Sequence, residues 1–283
     1  FIFGSQDPDI RFKAAENGWL VENGRLTTSR YWDVEYSIDY DHSVAYFEEQ
    51  LQELLCSSVK QHLISDVPVG SYLSGGIDSS LVTALAVDSS NDFYGSFHGK
   101  FTDHPGYDES EFARAAANQV SRSLFETTIT AQDFADNIQK VIYHLDTPVA
   151  GPGSFPQYMV SKLAAEHVKV VLGGQGGDEM FGGYARYLIA YFEQTIKAAI
   201  EGTYANGSFV VTPESIIPNL TLLQEYKPLL KSFWQDGVFD PLDERYFRLV
   251  DRSLTMKNEL NWELLDKQGV FSRFKDIFNN ENN

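Results

Sequence analysis

The run SYLSGGIDSSL, residues 71–81, gathers two glycines and four serines around one acid. Gly75 and Gly76 let the backbone approach an anion closely, and successive N–H groups at the start of a helix form a ready phosphate site. Ser74, Ser79 and Ser80 add hydroxyl donors. Asp78 would repel a bare phosphate, so its presence calls for a bridging Mg2+. A serine-rich helix cap after a tight turn would explain Ser74 and Asp78, but not the whole run. The lysine of a G-x-x-x-x-G-K-[ST] phosphate loop is missing, and no G-x-G-x-x-G follows the strand as a dinucleotide fold would need.

A second glycine-rich stretch, VVLGGQGGDEMFGGYARY (170–187), carries Asp178 and Glu179. Asp78 and Asp178, arriving from separate strand ends at one glycine-lined crevice, would repel each other unless a cation lay between them. Glu179 has two readings, a site carboxylate or a partner for the N-terminal dipole of the helix it begins. Gln175 is the odd residue, a neutral amide where this chemistry uses charge.

These loops need elements to hold them. Phe47, Leu51, Leu54, Leu55, Val59 and Leu63 recur at helical spacing from Ser43 to near Ser65. A short strand at 67–73 leads into the glycine turn and the helical LVTALAV. Strands follow at about 93–98, 124–129 and KVVL (169–172), with helices at about 109–121, 131–145 and 156–167 between them. Strands alternating with helices of ten or more residues predict an α/β fold with a parallel sheet covered on both faces, whose ligands sit at the carboxyl ends of the strands. Asn23-Gly24 predicts a hairpin turn between WLVE and RLTTSRYWDV. Beyond Tyr187 the pattern becomes helical and aromatic-rich, with loops at NGS and at Pro213, Pro218, Pro228 and Pro241.

The chain has 283 residues, 43% of them hydrophobic, and a net charge of −18 spread as scattered acids. Such a field repels nucleic acid, so a phosphate-bearing ligand must be held locally by backbone N–H groups and Mg2+. No apolar run approaches the roughly 20 residues of a membrane span, and a cytoplasmic location is expected. Cys56 is the single cysteine, which rules out an intrachain disulfide and a cysteine-rich zinc site; it reads as a small buried thiol on an amphipathic helix. His144 reads as a structural residue. His98 and His104 lie near the predicted ligand end of the sheet without metal-ligand spacing.

SGGIDSS resembles the S-G-G-x-D-S pyrophosphate loop of the N-type ATP pyrophosphatases. With YDESEFARAAA, HLDTPVAGPGSFPQYMVSKLA, the 170–187 stretch and a linker-like RYWDV, the chain is similar, from about residue 20 to 190, to the synthetase domain of the glutamine-hydrolysing asparagine synthetases. The resemblance implies a five-stranded parallel sheet of the PP-loop (HUP-like) type over 43–190 and a mainly helical, truncated extension over 191–283. Residues 1–42 would be the linker and remnant of a missing N-terminal glutaminase-type domain.

It also implies ATP and Mg2+ as cofactors, a small carboxylate, aspartate foremost, as substrate, ammonia from a glutaminase domain outside this chain, and a possible homodimer. In that family the carboxylate is adenylated with release of pyrophosphate, and ammonia displaces AMP. Carried over, Ser74, Gly75, Gly76, Asp78, Ser79 and Ser80 would hold the β,γ-phosphates, and Asp78 and Asp178 would share Mg2+. Leu73 and the strand end Phe97 to Gly99 would line the adenosine pocket, and Gly173 and Gly174 would face AMP.

The family's usual second loop reads S-G-E-G-[SA]-D-E, its glutamate accepting a proton from ammonia. Here Gly173 stands at the serine position and Gln175 at the glutamate position. Asp146-Thr147 replaces the common Asp-Glu, and no Lys or Arg is assigned the family's pyrophosphate-neutralising role. These departures leave room for a relative that adenylates another carboxylate, in the manner of a β-lactam synthetase, or for a nucleotide-binding module impaired in catalysis.

Overall fold

The computed structural model describes residues 17–23, 25–30, 39, 41–103, 105–145, 153–202, 223–224, 226–253 and 256–279. His104, the YWDV of RYWDV, Asp146-Thr147, the NGS loop, Pro213 and Pro218 lie outside them. The chain divides into two compact units, residues 42–184 and residues 185–283 together with 1–41.

The first unit is built on strands β3 (Val69–Tyr72), β4 (Ser96–Lys100), β5 (Leu124–Thr128) and β6 (Val170–Leu172), numbered after the two strands of the hairpin described below. They form a parallel sheet in the order β5-β4-β3-β6. The described sheet has four strands, those read from the sequence, where the resemblance implied five. The chain moves outward from β3 to β4 and β5, then returns to place β6 on the other side of β3. The switch point therefore falls between β3 and β6, where crevices form at the carboxyl ends of such sheets. Ser71 pairs with Leu172, so both strands end side by side and their loops emerge together.

Helices α1 (Val44–His62), α2 (Ile77–Ser89), α3 (Ser110–Gln119), α4 (Ala131–Leu145), α5 (Ser154–Ala165) and α6 (Gly177–Phe181) complete the unit. Strand side chains alternate between faces, and the packing follows that period. Phe97, with Tyr72, Phe125 and Val171 beside it, joins Val141 of α4 and Phe155, Met159, Val160 and Ala164 of α5. On the opposite face Leu73 packs with Ala113 and Ala117 of α3, and Leu172 joins Val59 of α1 and Ala86 of α2. The apolar stripe of α1 is used unevenly, since Val59 is buried while Phe47, Leu51 and Leu54 are exposed. Cys56 is half-buried, not buried as expected, because it lies beside that stripe. His144 is exposed and stacks near Tyr158, 6.4 Å between ring centres.

Beneath the first glycine loop the core is polar. Ser71, Thr83 and Ser96 are all within 1% of complete burial. Thr83 Oγ1 donates to Ser79 O (2.8 Å), so the Ser71 hydroxyl, 2.8 Å away, must donate to Thr83, and Ser96, at 2.9 Å, must donate to Ser71. Every hydroxyl hydrogen is used, and the chain ties α2 to both central strands.

In the second unit β1 (Asn17–Glu22) and β2 (Arg25–Arg30) form the expected antiparallel hairpin, with Glu22 opposite Arg25 and Asn23 at φ +50°. Helices α7 (Ala185–Glu201), α8 (Lys227–Trp234), α9 (Leu242–Val250) and α10 (Lys267–Phe278) follow. Pro228 and Pro241, read as loop markers, open α8 and cap α9 instead, because proline's fixed φ and missing N–H suit a helix start. Ile189, Leu223 and Phe233 form the local core. The Arg245 guanidinium is 1% exposed and forks onto Glu193, donating from Nε to Oε1 (2.9 Å) and from Nη2 to Oε2 (2.6 Å). It also donates to the carbonyls of Asp236 and Phe233 and lies 3.9 Å over the Phe233 ring, while the Trp234 indole donates to Glu193. No described helix is long and apolar enough to cross a membrane.

Thr83→Val keeps the shape but strands Ser71 without its acceptor, and chemical denaturation should show a loss of about 1–3 kcal/mol. Arg245→Leu leaves Glu193 charged and buried, with an expected loss of about 3–5 kcal/mol in the same measurement. The double change Arg245→Leu, Glu193→Met should recover most of it.

Candidate active site

The first loop leaves β3 at Leu73 and enters α2 at Ile77. Its hydroxyls close on one another. Ser79 Oγ donates to Gly76 O (3.2 Å), accepts from Ser74 N–H (3.2 Å) and lies 3.0 Å from Ser74 Oγ, which accepts from Gly76 N–H (3.2 Å). The loop is thus shaped before any ligand arrives. Gly75 sits at φ +97°, and a Cβ there would meet the Ala113 amide nitrogen and Phe112 Cβ at 2.8 Å. Its need for glycine is thereby conformational and steric, against the start of α3, beyond the anion approach expected of it.

The second loop leaves β6 at Leu172 and turns through Gly176 (φ +95°) into α6, which ends at Gly182 (φ +69°). The two loops interlock. A Cβ at Gly174 would stand 2.8 Å from Ser79 N and 2.9 Å from Asp78 Cβ, and one at Gly177 would collide with the Asp78 carboxylate. The acid of the first loop is therefore seated in space that the glycines of the second leave open. Glu179 accepts a hydrogen bond from the Tyr184 hydroxyl (2.6 Å) while standing in the first turn of α6.

Two cavities flank this junction. One of about 750 Å3 is lined by Ser74, Gly76, Asp78, Ser79, Gly174, Gln175 and Asp178, with Leu51, Leu55, Ile77, Leu81 and Phe181 as an apolar wall. The other, of about 210 Å3, is lined by Leu73, Ser74, Phe97, His98, Gly99 and Gln157, among others. Tyr72, Ser74 and Gln157 border both. Gly75, Ser80, Gly173 and Glu179 line neither.

Two carboxylates on facing loops form an oxygen-donor set of the kind Mg2+ accepts when phosphate oxygens complete its shell. Among the described residues no group of three His, Cys, Asp or Glu could hold a metal by itself. A cation here would depend on its ligand's oxygens, and in chemical terms the arrangement suits a polyphosphate entering with a divalent ion.

Gln175 lies back across the second loop. Its Oε1 fills the place where a Cβ on Gly173 would stand, and its Nε2 donates to Gln157 Oε1 (3.3 Å). Gln157 was not singled out from the sequence, since a glutamine on an amphipathic helix carries no motif. His98, read from the sequence as lying near the ligand end of the sheet without metal-ligand spacing, does lie there, in β4. It is 4% exposed, with Nδ1 2.8 Å from Leu73 O and Nε2 3.1 Å from Ser110 Oγ. Ser110 donates its hydroxyl to Asp108 (2.5 Å), and this bond, ahead of all other causes, holds the Asp108 carboxyl below its ordinary range.

Relatives share this framework in sequence. Asparagine synthetase [glutamine-hydrolyzing] 1 of Bacillus subtilis is 37% identical over 142 residues, 49% of this chain and 22% of that protein. Putative asparagine synthetase [glutamine-hydrolyzing] 2 of Methanocaldococcus jannaschii is 33% identical over 203 residues, 69% of this chain and 38% of that protein. Amidase chyE of Penicillium rubens is 31% identical over 179 residues, 57% of this chain and 27% of that protein. The chain thus spans well under half the length of these relatives. The asparagine synthase family model matches residues 50–271, which takes in both loops and both cavities. By that match over most of its length, the chain belongs to the asparagine synthase family.

Proposed function

We propose that this chain is the ATP-dependent, amide-forming ligase part of an asparagine-synthetase-type enzyme. A carboxylate oxygen of the substrate, aspartate foremost, attacks the α-phosphorus of ATP, the bond from that phosphorus to the bridging oxygen breaks, and pyrophosphate leaves. Ammonia, delivered by a glutaminase-type domain outside this chain, then attacks the acyl carbon. AMP departs with the carbon–oxygen electron pair and the nitrogen releases a proton.

One observation above all supports this reading: two acidic glycine loops interlock at the switch point of a parallel sheet, with Asp78 and Asp178 on one cavity wall. Ser74, Gly76 and Ser79 hold the β,γ-phosphates through N–H and hydroxyl groups, with Gly75 and Ser80 shaping the loop behind them. Asp78 and Asp178 would hold Mg2+, whose charge would offset that of the phosphates. Leu73, Phe97 and Gly99 border the adenosine cavity, and Gly173 and Gly174 carry the backbone that faces AMP.

Gln175 favours a second reading, a family relative that adenylates a different carboxylate. An amide accepts no proton at neutral pH, so the family's base is missing from the position that usually supplies it.

The readings separate when the full-length protein is given Mg-ATP, ammonium and a panel of carboxylates, with pyrophosphate and amide followed together. Pyrophosphate release that depends on aspartate is expected. Dependence on another acid would replace aspartate as substrate, and ATP binding without turnover would overturn the ligase assignment. Asp78→Asn should slow pyrophosphate release about 100-fold or more, roughly 3 kcal/mol of transition-state stabilisation. Gln175→Glu restores a carboxylate of nearly the same shape. If a base is what the site lacks, amide formation rises about tenfold or more; an unchanged or lower rate means the proton is taken elsewhere.

A further inference from the structure

The loop that begins at Leu73 is held from below by a side chain the sequence motif does not contain. Leu73 is completely buried, and its N–H donates to Phe97 O (3.0 Å) as the last rung between β3 and the neighbouring strand. Its carbonyl meets His98 Nδ1 at 2.8 Å. A carbonyl oxygen only accepts, so Nδ1 carries the hydrogen of that bond. On the far side of the ring Nε2 faces Ser110 Oγ, and Ser110 is pinned by both its hydroxyl (2.5 Å) and its N–H (3.3 Å) to Asp108 Oδ1.

The same helix start meets the loop a second time. Gly75, two residues beyond Leu73, rests against Glu109 O, Phe112 and the Ala113 amide. The first turn of α3 therefore touches the loop directly at Gly75 and indirectly at Leu73, through Ser110 and His98. His98, Leu73, Ser74 and Glu109 also border one cavity.

We propose that His98, braced by Ser110 and Asp108, is a positioning residue that fixes the backbone of the 74–79 loop for the β,γ-phosphates of a bound nucleotide. The inference rests on the nucleotide reading given above. It acts through the Leu73 carbonyl rather than by touching phosphate. Without a donor at Nδ1 that buried carbonyl loses its partner, and the loop shifts to find another. Its consequence is weighted toward the β,γ-phosphates, because those contacts come from this loop, whereas the nucleoside cavity that Leu73 and His98 border is walled mainly by Phe97, Gly99, Phe101 and Ile129 of other segments.

The test uses calorimetric titration of the full chain with two probes, α,β-methylene-ATP with Mg2+ and AMP. Asparagine at 98 places an amide N–H where Nδ1 stands, and leucine does not. His98→Leu should weaken the triphosphate probe about tenfold or more while AMP binding changes by less than about threefold; His98→Asn should hold both within about threefold. Equal losses for the two probes, a leucine variant that binds the triphosphate as wild type does, or an asparagine variant as weak as leucine would each overturn the inference. Wild-type protein that binds neither probe would instead overturn the nucleotide reading, and this inference with it. Should the leucine variant fail to fold, Ser110→Ala carries the same comparison, because it removes the brace and leaves His98 in place. The triphosphate should weaken and AMP should not, and any other result overturns the proposal.

Discussion

Asp78 occupies room that exists only because Gly174 and Gly177 lack side chains, and the arrangement of the first unit follows from that contact. Two loops can interpenetrate this closely only if the strands beneath them end level, which the Ser71–Leu172 register provides. They can converge only if the chain reverses direction across the sheet, which the order β5-β4-β3-β6 provides. A slip of one residue in β6 would turn Leu172 to the other face and carry the second loop away from Asp78. The apolar packing on both faces therefore does more than stabilise, since it sets the height at which the two acidic loops meet.

A parallel sheet covered on both faces is ordinarily lined with Val, Ile and Leu. Here one face of its two central strands carries Ser71, Ser96 and His98, each within 4% of full burial. Buried hydroxyls are tolerable only when each finds a partner, and the Ser96–Ser71–Thr83–Ser79 chain and the Leu73–His98–Ser110–Asp108 chain satisfy that demand. Both chains end on the backbone of the first loop or of the helix it opens. Directional bonds hold a loop to a narrower geometry than apolar contacts can, and on the proposed reading, in which the loop presents N–H groups to phosphate oxygens, it would gain from that restriction.

Much of this scaffold was legible because it is periodic. The helix at 131–145 was read to the residue, and the four parallel strands to within a few positions, because apolar spacing and glycine punctuation report them directly. The loop 74–80 was legible because its composition has few other uses. What escaped depends on partners far apart in sequence. His98 reads as an isolated histidine until the sheet brings Leu73 and the turn at 108–110 to its two nitrogens. Gln157 carries no motif, and its part shows only once β6 delivers Gln175. Gly75 was assigned to anion approach because nothing local reveals that α3 lies against it. The stripe of α1 was read as an apolar helical face, and its exposure at Phe47, Leu51 and Leu54 escaped because periodicity reports a face and not what covers it.

The departures from the family's loop at Gly173 and Gln175 are physically linked, and Gly177 belongs with them. A serine at 173 could not coexist with Gln175 as it lies here, because its Cβ would stand where Gln175 Oε1 is. A serine or alanine at 177 would likewise displace the Asp78 carboxylate. The three positions thus fit together: the Asp78 carboxylate lies where side chains at 174 and 177 would stand, and Gln175, across Gly173, bonds to Gln157. The neutral amide suits that place better than a carboxylate, which would bring a further negative charge toward Asp78 and Asp178 and could not donate to Gln157 Oε1. Gln175 is therefore better understood as the closing piece of this loop's packing than as a damaged copy of a glutamate, and any proton released at nitrogen must find an acceptor that this packing does not provide at position 175.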